Sequence, residues 1–422
     1  MTKQNSATLS ETTRIWGKIG LLSFGGPAAQ IALMHREIVD KKQWLSEQQF
    51  LNALNFCMLL PGPEAMQLAT YAGWRMNGTI GGLIAGLLFV LPGALVIAAL
   101  ATIYVYFGNQ PLIIGIFLGV KATVVIIVLE ALLRVAKRAL LSKTHYFVAA
   151  FAFIGIFFFN LPYPLIILLS ALIGWFGNAP TLATPPVAFT HSARQTMRTA
   201  IVGLCVWWAP IIFVSYFLGH EFYTQITLFF SKLAVVTFGG AYAVLAYMAQ
   251  DVVTAKEWLT AGQMMDGLGL AETTPGPLIL VTEFVGFLAG FQQGGIIVAL
   301  TAAFLTLWVT FAPCFLWIFV GAPYIEWIGN QPKLRGALST VTAAVVGVIL
   351  NLSLWFAVHV FFNKLTTIEY GPLSLLTPQL NTLNWGVVAL ALLSYVLLIK
   401  RHWNVVWVLL ITATIAAIAY LI

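Results

Sequence analysis

Phe24-Gly25-Gly26-Pro27 and Pro61-Gly62-Pro63 are two helix-breaking clusters set in apolar sequence, and both occur a second time. Phe238-Gly239-Gly240 repeats the first and Pro275-Gly276-Pro277 the second, each at an offset of 214 residues. Lys18 and Lys232, Lys42 and Lys256, Trp44 and Trp258, and Leu45 and Leu259 keep the same register. Asn109-Gln110-Pro111 returns as Asn330-Gln331-Pro332, now offset by 221. Spaced motifs in one register are the mark of an internal duplication, here of a unit with broken helices at its centre.

The medium of this unit follows from composition. Of 422 residues, 60% are hydrophobic and only 8% charged, where a soluble domain carries roughly 25% charged residues. The chain reads as an all-α polytopic membrane protein. Its net charge of +7 does not point to nucleic acid, because the basic residues sit in short loops, where orientation in the bilayer accounts for them. Cys57, Cys205 and Cys314 lie far apart in apolar stretches and form neither a metal-ligand pattern nor a disulfide framework. No Gly-x4-Gly-Lys-Ser/Thr segment argues for ATP-driven work, and no cofactor or metal is expected.

The order of segments gives the boundaries. Residues 1–13 are a polar tail without a cleavable-signal pattern. The first repeat occupies 14–177, a polar linker 178–195, an unpaired span 196–219 and the second repeat 220–422. Ala28 to Lys42 reads as an amphipathic helix whose charged end, with His35, Arg36, Glu37, Asp40, Lys41 and Lys42, returns to a water surface. Ser46 followed by Gln49 predicts a capped helix that runs to Leu60, and Glu64 opens the next one. These pieces are shorter than the roughly 20 residues of a full span. They predict broken or re-entrant helices at the FGGP and PGP clusters.

Arg134, Lys137, Arg138 and Lys143, and then Arg194 and Arg198, mark cytoplasmic loops of the first half. In the second half the pattern inverts, with Lys333 and Arg335 in the loop that matches the uncharged Asn109 loop. The prediction is two repeats of inverted topology, with the N-terminus cytoplasmic and the C-terminus extracytoplasmic.

A helix start offers unpaired N–H groups and a partial positive charge, which suits an oxyanion. Glycine admits a ligand close to the backbone, and proline in the first turn gives up no needed donor. Gly25, Gly26, Pro27, Pro61, Gly62, Pro63, Gly239, Gly240, Pro275, Gly276 and Pro277 are therefore candidate substrate-binding positions; plain kinks or close helix packing are the alternative. Lys121, inside an apolar span, is the one candidate formal charge, the alternative being a lysine paired with Glu130 or a backbone carbonyl. Glu64 and Glu272 flank the PGP clusters and are candidate proton carriers, with Glu283 and Glu130 behind them; for Glu64 the alternative is a helix-start acid. Arg36 and Arg75 are candidate vestibule residues or a solvated face.

Ser23-Phe24-Gly25-Gly26-Pro27-Ala28-Ala29-Gln30, Met34-His35-Arg36-Glu37, Trp44 and Leu59-Leu60-Pro61-Gly62-Pro63-Glu64-Ala65 resemble the chromate ion transporter family in its long-chain, two-domain form. The resemblance runs from about Trp16 to the end. It implies export of chromate across a bacterial plasma membrane, by antiport driven by the proton gradient and conferring chromate resistance. The partners it implies are a chromate- or sulfate-like oxyanion, protons and the lipid bilayer, with a homodimer as a further option. The second copy departs from the pattern, with Ala241 where Pro27 stands and Leu278 where Glu64 stands. From the residues alone the reading is an oxyanion transporter, with an uncoupled anion channel and a sulfate or organic-anion carrier as rivals. An intramembrane reductase has no cofactor motif behind it.

Overall fold

A computed structural model describes residues 7–177, 193–218, 221–238, 241–325, 331–370 and 373–422. Almost all of these are helical, and five helices are long and apolar enough to cross a membrane. The first repeat contains α1 (Leu9–Leu22), α2 (Gly26–Met34), α3 (Glu47–Cys57), α4 (Glu64–Phe107), α5 (Pro111–Ala139), α6 (Lys143–Phe159) and α7 (Tyr163–Phe176). Helix α8 (Ala193–Phe213) lies where the sequence places the connecting span. The second repeat contains α9 (Glu221–Val236), α10 (Ala241–Gln250), α11 (Ala261–Thr273), α12 (Val281–Gly321), α13 (Pro332–Phe361), α14 (Trp385–Tyr395) and α15 (Val405–Leu421). The linker lies mostly outside the described residues. The sequence between Phe362 and Trp385 holds no long apolar run, and it forms the strand pair seen among the described residues: an antiparallel hairpin of β1 (Leu365–Tyr370) and β2 (Leu373–Pro378), with Leu365 opposite Pro378.

The local chain repeats in detail. In place of one amphipathic helix over 28–42, α2 runs to Met34 and passes into a wider π-helical turn, His35–Lys41. The second copy makes the same turn at Asp251–Ala255 after α10. Each turn is closed in the same way. The Trp44 N–H donates to Ile38 O at 2.8 Å and the Trp258 N–H to Val252 O at 2.9 Å. Gln43 and Glu257 both have φ 51°, and Lys42 and Lys256 each lie 5.9 Å from the ring centroid of Trp44 and Trp258. The predicted Ser46–Gln49 capping box is present at the start of α3.

A further break appears in each of the two longest helices. In α4, Asn77 and Gly78 leave helical geometry, Gly78 at φ 65°, ψ −159°; in α12, Gly294 and Gly295 do so, Gly295 at φ 76°, ψ −159°. That region is open essentially to glycine alone. Each helix folds back on itself there through small residues. A Cβ on Gly73 would stand 2.3 Å from Gly81 O, and one on Gly286 would stand 2.4 Å from the Thr306 hydroxyl. Beyond its break α4 turns Leu83, Leu87, Leu91 and Leu95 outward and buries Gly82, Ala85, Gly86, Phe89 and Gly93. An outward leucine stripe at four-residue spacing is the mark of a lipid-facing helix, because backbones approach through the small residues on the opposite side.

The helices gather into two compact units that cut across the repeats. One comprises residues 1–102, 182–241 and 274–331, the other 103–181, 242–273 and 332–422. In the first, α12 packs on α8 and α9, where the Trp207 indole N–H donates to Ser231 Oγ. In the second, α5 packs on α15 and α13 on α6 and α7. Glycines set both approaches: a Cβ on Gly119 would meet Thr412 O at 2.2 Å, and one on Gly347 would meet Ala149 O at 2.1 Å. Thr123 links to Ser394 at 2.9 Å and to Thr412 at 2.8 Å, so buried hydroxyls satisfy one another.

Candidate anion-binding elements

The first unit holds the broken segments. Ser23 follows α1 and Thr237 follows α9, in the same 214-residue register as Gly62 and Gly276. The Gly62 N–H donates to Thr237 O at 3.1 Å, and the Gly276 N–H donates to Ser23 O at 3.0 Å. Thus each PGP break is bonded to the end of a helix from the other repeat. Both glycines need their positive φ, 106° at Gly62 and 91° at Gly276. The prolines on either side have no N–H to orphan in this buried crossing. Gln30 reinforces it, its amide donating to Gly276 O at 2.6 Å and to Ser23 O at 3.3 Å, and the Gln67 amide donates to Pro61 O at 2.7 Å.

This arrangement divides the expected donors. The N–H groups of Gly62 and Gly276 are engaged in the crossing. At the first cluster Gly25 (φ 84°) precedes α2, Pro27 lies in its first turn, and no side chain caps the helix. The N–H groups of Gly26 and Ala28 therefore point out of the helix start without intrahelical acceptors. Gly239 and Gly240 lie outside the described residues. Glu64 stands in the first turn of α4, half-buried. Glu283 is buried in the first turn of α12. Arg36 and Arg75 are exposed.

Lys121 belongs to the second unit, on α5. Among the described residues it pairs neither with Glu130, which bonds Arg134 at 2.6 Å, nor with a backbone carbonyl. Its partner is Asp266 of α11, with Nζ 3.2 Å from Oδ1. The Tyr104 hydroxyl, near the end of α4, donates to the other carboxylate oxygen of Asp266 at 2.7 Å. Glu272, one residue before the end of α11, accepts from the Tyr242 hydroxyl at 2.8 Å. Both acids are buried, so each carries the polar partner that a low-dielectric site demands.

Sequence reasoning passed over Asp266 and Tyr104. The signal for Asp266 was available: it is an acid inside the apolar run Met264 to Leu270, and the rule that singles out Lys121 applies to it equally. Ser23, Thr237, Gln30 and Gln67 gave no such signal, because small polar residues near helix breaks are common.

Outside the membrane segments, Glu37 is 3% exposed and held by Lys41 at 2.8 Å and Lys18 at 3.1 Å. The Lys41 hydrogen bond, with help from Lys18, holds its carboxyl below the ordinary glutamate value. His35 bonds Glu47 at 2.6 Å, which raises the imidazole above its ordinary value.

Comparison with known proteins places this geometry. The family model described as chromate transporter matches residues 10–175 and again 224–418. A chromate transport protein of Pseudomonas aeruginosa is 33% identical over 338 residues, covering 79% of this chain and 77% of the relative. One from Cupriavidus metallidurans is 29% identical over 81% of each chain. An uncharacterized transporter of Methanocaldococcus jannaschii is 25% identical over 85% of this chain and 87% of its own. No solved structure matches the chain.

Proposed function

The chain belongs to the chromate transporter family, and from that premise we propose that it is a secondary transporter that exports chromate across the plasma membrane, coupled to the proton gradient, and thereby confers chromate resistance. The observation that carries this reading is the match of the family model to both halves of the chain, each with its own broken segments.

The physics of the cargo agrees. Chromate is a tetrahedral dianion, and in a dry site each lost water must be replaced by a donor, at a cost of several kcal/mol if it is not. The uncapped start of α2, with Gly25, Gly26 and Pro27, supplies backbone donors in the first unit. Pro61, Gly62, Pro63, Pro275, Gly276 and Pro277 hold that region in shape, and Gly239 and Gly240 supply the equivalent of Gly25 and Gly26 in the second copy. Lys121 supplies a formal charge in the second unit. Glu64 and Glu272 carry the coupling proton, and Arg36 and Arg75 attract the anion from the aqueous side. A membrane potential negative inside is worth about 2.3 kcal/mol per charge per 100 mV, so it already favours exit of a dianion.

Inverted topology of residues 14–177 and 220–422, with 178–195 as cytoplasmic linker and 196–219 as connecting span, is supported by the reciprocal Gly62–Thr237 and Gly276–Ser23 bonds. Two segments related by a two-fold axis exchange like contacts in this way. The test is expression in a chromate-sensitive bacterial host lacking its own exporter. Growth on chromate with lowered cell-associated chromium supports export; unchanged sensitivity with the protein present in the membrane contradicts it.

A further inference from the structure

The ion pair of Lys121 and Asp266 stands beside the first turn of α11. Gly262 lies in the first turn of α11, and the space where its side chain would be has two neighbours within 4 Å, Lys121 Nζ at 3.4 Å and Thr260 Oγ1 at 3.8 Å. Thr260 caps α11 by accepting from the Gln263 N–H at 3.2 Å, so the N–H groups of Ala261 and Gly262 are left over at the helix start. An ammonium and a helix N-terminus thus lie side by side, and both favour an anion, while the Thr260 hydroxyl is already donated to Gln263 Oε1 at 3.2 Å. Asp266, 3% exposed, fills the role of that anion from the side: its Oδ1 faces Lys121 but completes no hydrogen bond there.

We propose that the transported oxyanion docks on the first turn of α11, against Lys121 and the N–H groups of Ala261 and Gly262, and displaces Asp266, which then takes up one proton. The proposal rests on the reading that Lys121 meets the anion. It identifies Asp266 as a resident stand-in for the substrate. When the oxyanion claims the ammonium, Asp266 keeps only the hydrogen bond from Tyr104. A buried carboxylate stripped of its counter-ion neutralises, so a proton from solvent settles on Oδ1. When the anion leaves, the proton leaves and the pair re-forms, which closes the site behind it.

The helices that pack on α11 are α5, α13 and α15. The groups acting on Asp266 are Lys121 of α5 and Tyr104 at the end of α4. The linkage therefore has one sign: anion and proton load together, and each tightens the binding of the other. Chromate would then cross with its charge partly offset, still in the direction that the membrane potential favours.

The experiment is calorimetric titration of the purified full-length protein with chromate, at mildly alkaline pH where chromate is the dianion, in two buffers of different ionisation heat. The wild type is expected to take up close to one proton per anion bound. Asp266→Asn, which keeps the Tyr104 contact, is expected to bind chromate about tenfold tighter with no proton uptake. Gly262→Leu, in ordinary helical geometry, is expected to lose binding while keeping the wild-type melting temperature. Chromate binding without proton uptake by the wild type, or uptake undiminished in Asp266→Asn, would overturn the displacement. Proton release on binding would point to exchange and overturn it too. If Lys121→Met binds chromate like the parent, the underlying reading of Lys121 fails instead, and the two failures are told apart.

Discussion

The N–H of Gly62 donates to the carbonyl oxygen of Thr237 at 3.1 Å, which bonds a break in the first repeat to a helix end in the second. Its mate, Gly276 to Ser23, does the reverse at 3.0 Å. The crossing is tight as well as reciprocal: a Cβ on Gly62 would stand 3.0 Å from Cys314 Sγ. Gly62→Ala combines a left-handed backbone with that contact and is predicted to cost about 1–3 kcal/mol. Gly276→Ala is predicted to behave alike. Gly17→Ala, in α1 with nothing within 4 Å of its Cβ, is the control and should be neutral or slightly stabilising, as alanine is the better helix former. Thermal unfolding in detergent reads all three; equal melting temperatures for Gly62→Ala and Gly17→Ala would refute the strain argument.

Acid should loosen the π-helical turn at His35–Lys41. The carboxyl of Glu37 titrates below its ordinary value of 4.5 because Lys41 and Lys18 hold its charged form. A carboxyl lowered by folding stabilises above its unfolded value, and the contribution is lost as the pH falls below about 4.5 toward the folded value. Glu37→Gln is predicted to lower stability near neutrality by about 1–2 kcal/mol and to flatten the loss on the acid side. Melting curves of the two proteins across that range check it. Parallel curves would assign the turn's stability to something other than the ion pairs.

Glu64 and Glu272 make separable predictions. Glu64→Gln or Glu272→Gln is expected to abolish accumulation driven by a pH step while leaving downhill exchange of chromate largely intact. Vesicles prepared with and without a pH gradient measure both. If each variant keeps the parent's pH response, neither carboxyl carries the coupling proton, and Glu283 or Glu130 takes its place.

Orientation is testable without substrate. Basic helix ends at Arg134 to Lys143, around the end of α5 and the start of α6, and at Lys333 to Arg335, at the start of α13, predict a cytoplasmic N-terminus and an extracytoplasmic C-terminus. A reporter fused after Ile422 should read outside; a cytoplasmic signal there would break the inverted-repeat proposal.

What the sequence made legible was the position of the breaks. Glycine and proline act locally, so FGGP, PGP and the Ser46 capping box announce themselves to any reader of the chain. The break at Asn77–Gly78 is less visible, since one glycine among many in an apolar run carries no mark of its φ. The π-helical turns are silent because their geometry comes from packing around Trp44 and Trp258, not from residue preference. The partner of Lys121 was hidden for a different reason. Counter-ions in a membrane protein are chosen across helices, so the nearer acid in sequence, Glu130, turned outward to Arg134 while Asp266 of the other repeat took the lysine.

Transport itself is the central claim, and purified protein reconstituted in liposomes tests it most directly. Labelled chromate should enter vesicles in a protein-dependent, saturable manner, respond to an imposed pH gradient, compete with sulfate, and fall at least tenfold in Lys121→Met. Chromate flux no greater than in protein-free vesicles, with the same preparation shown to be folded, would contradict the account.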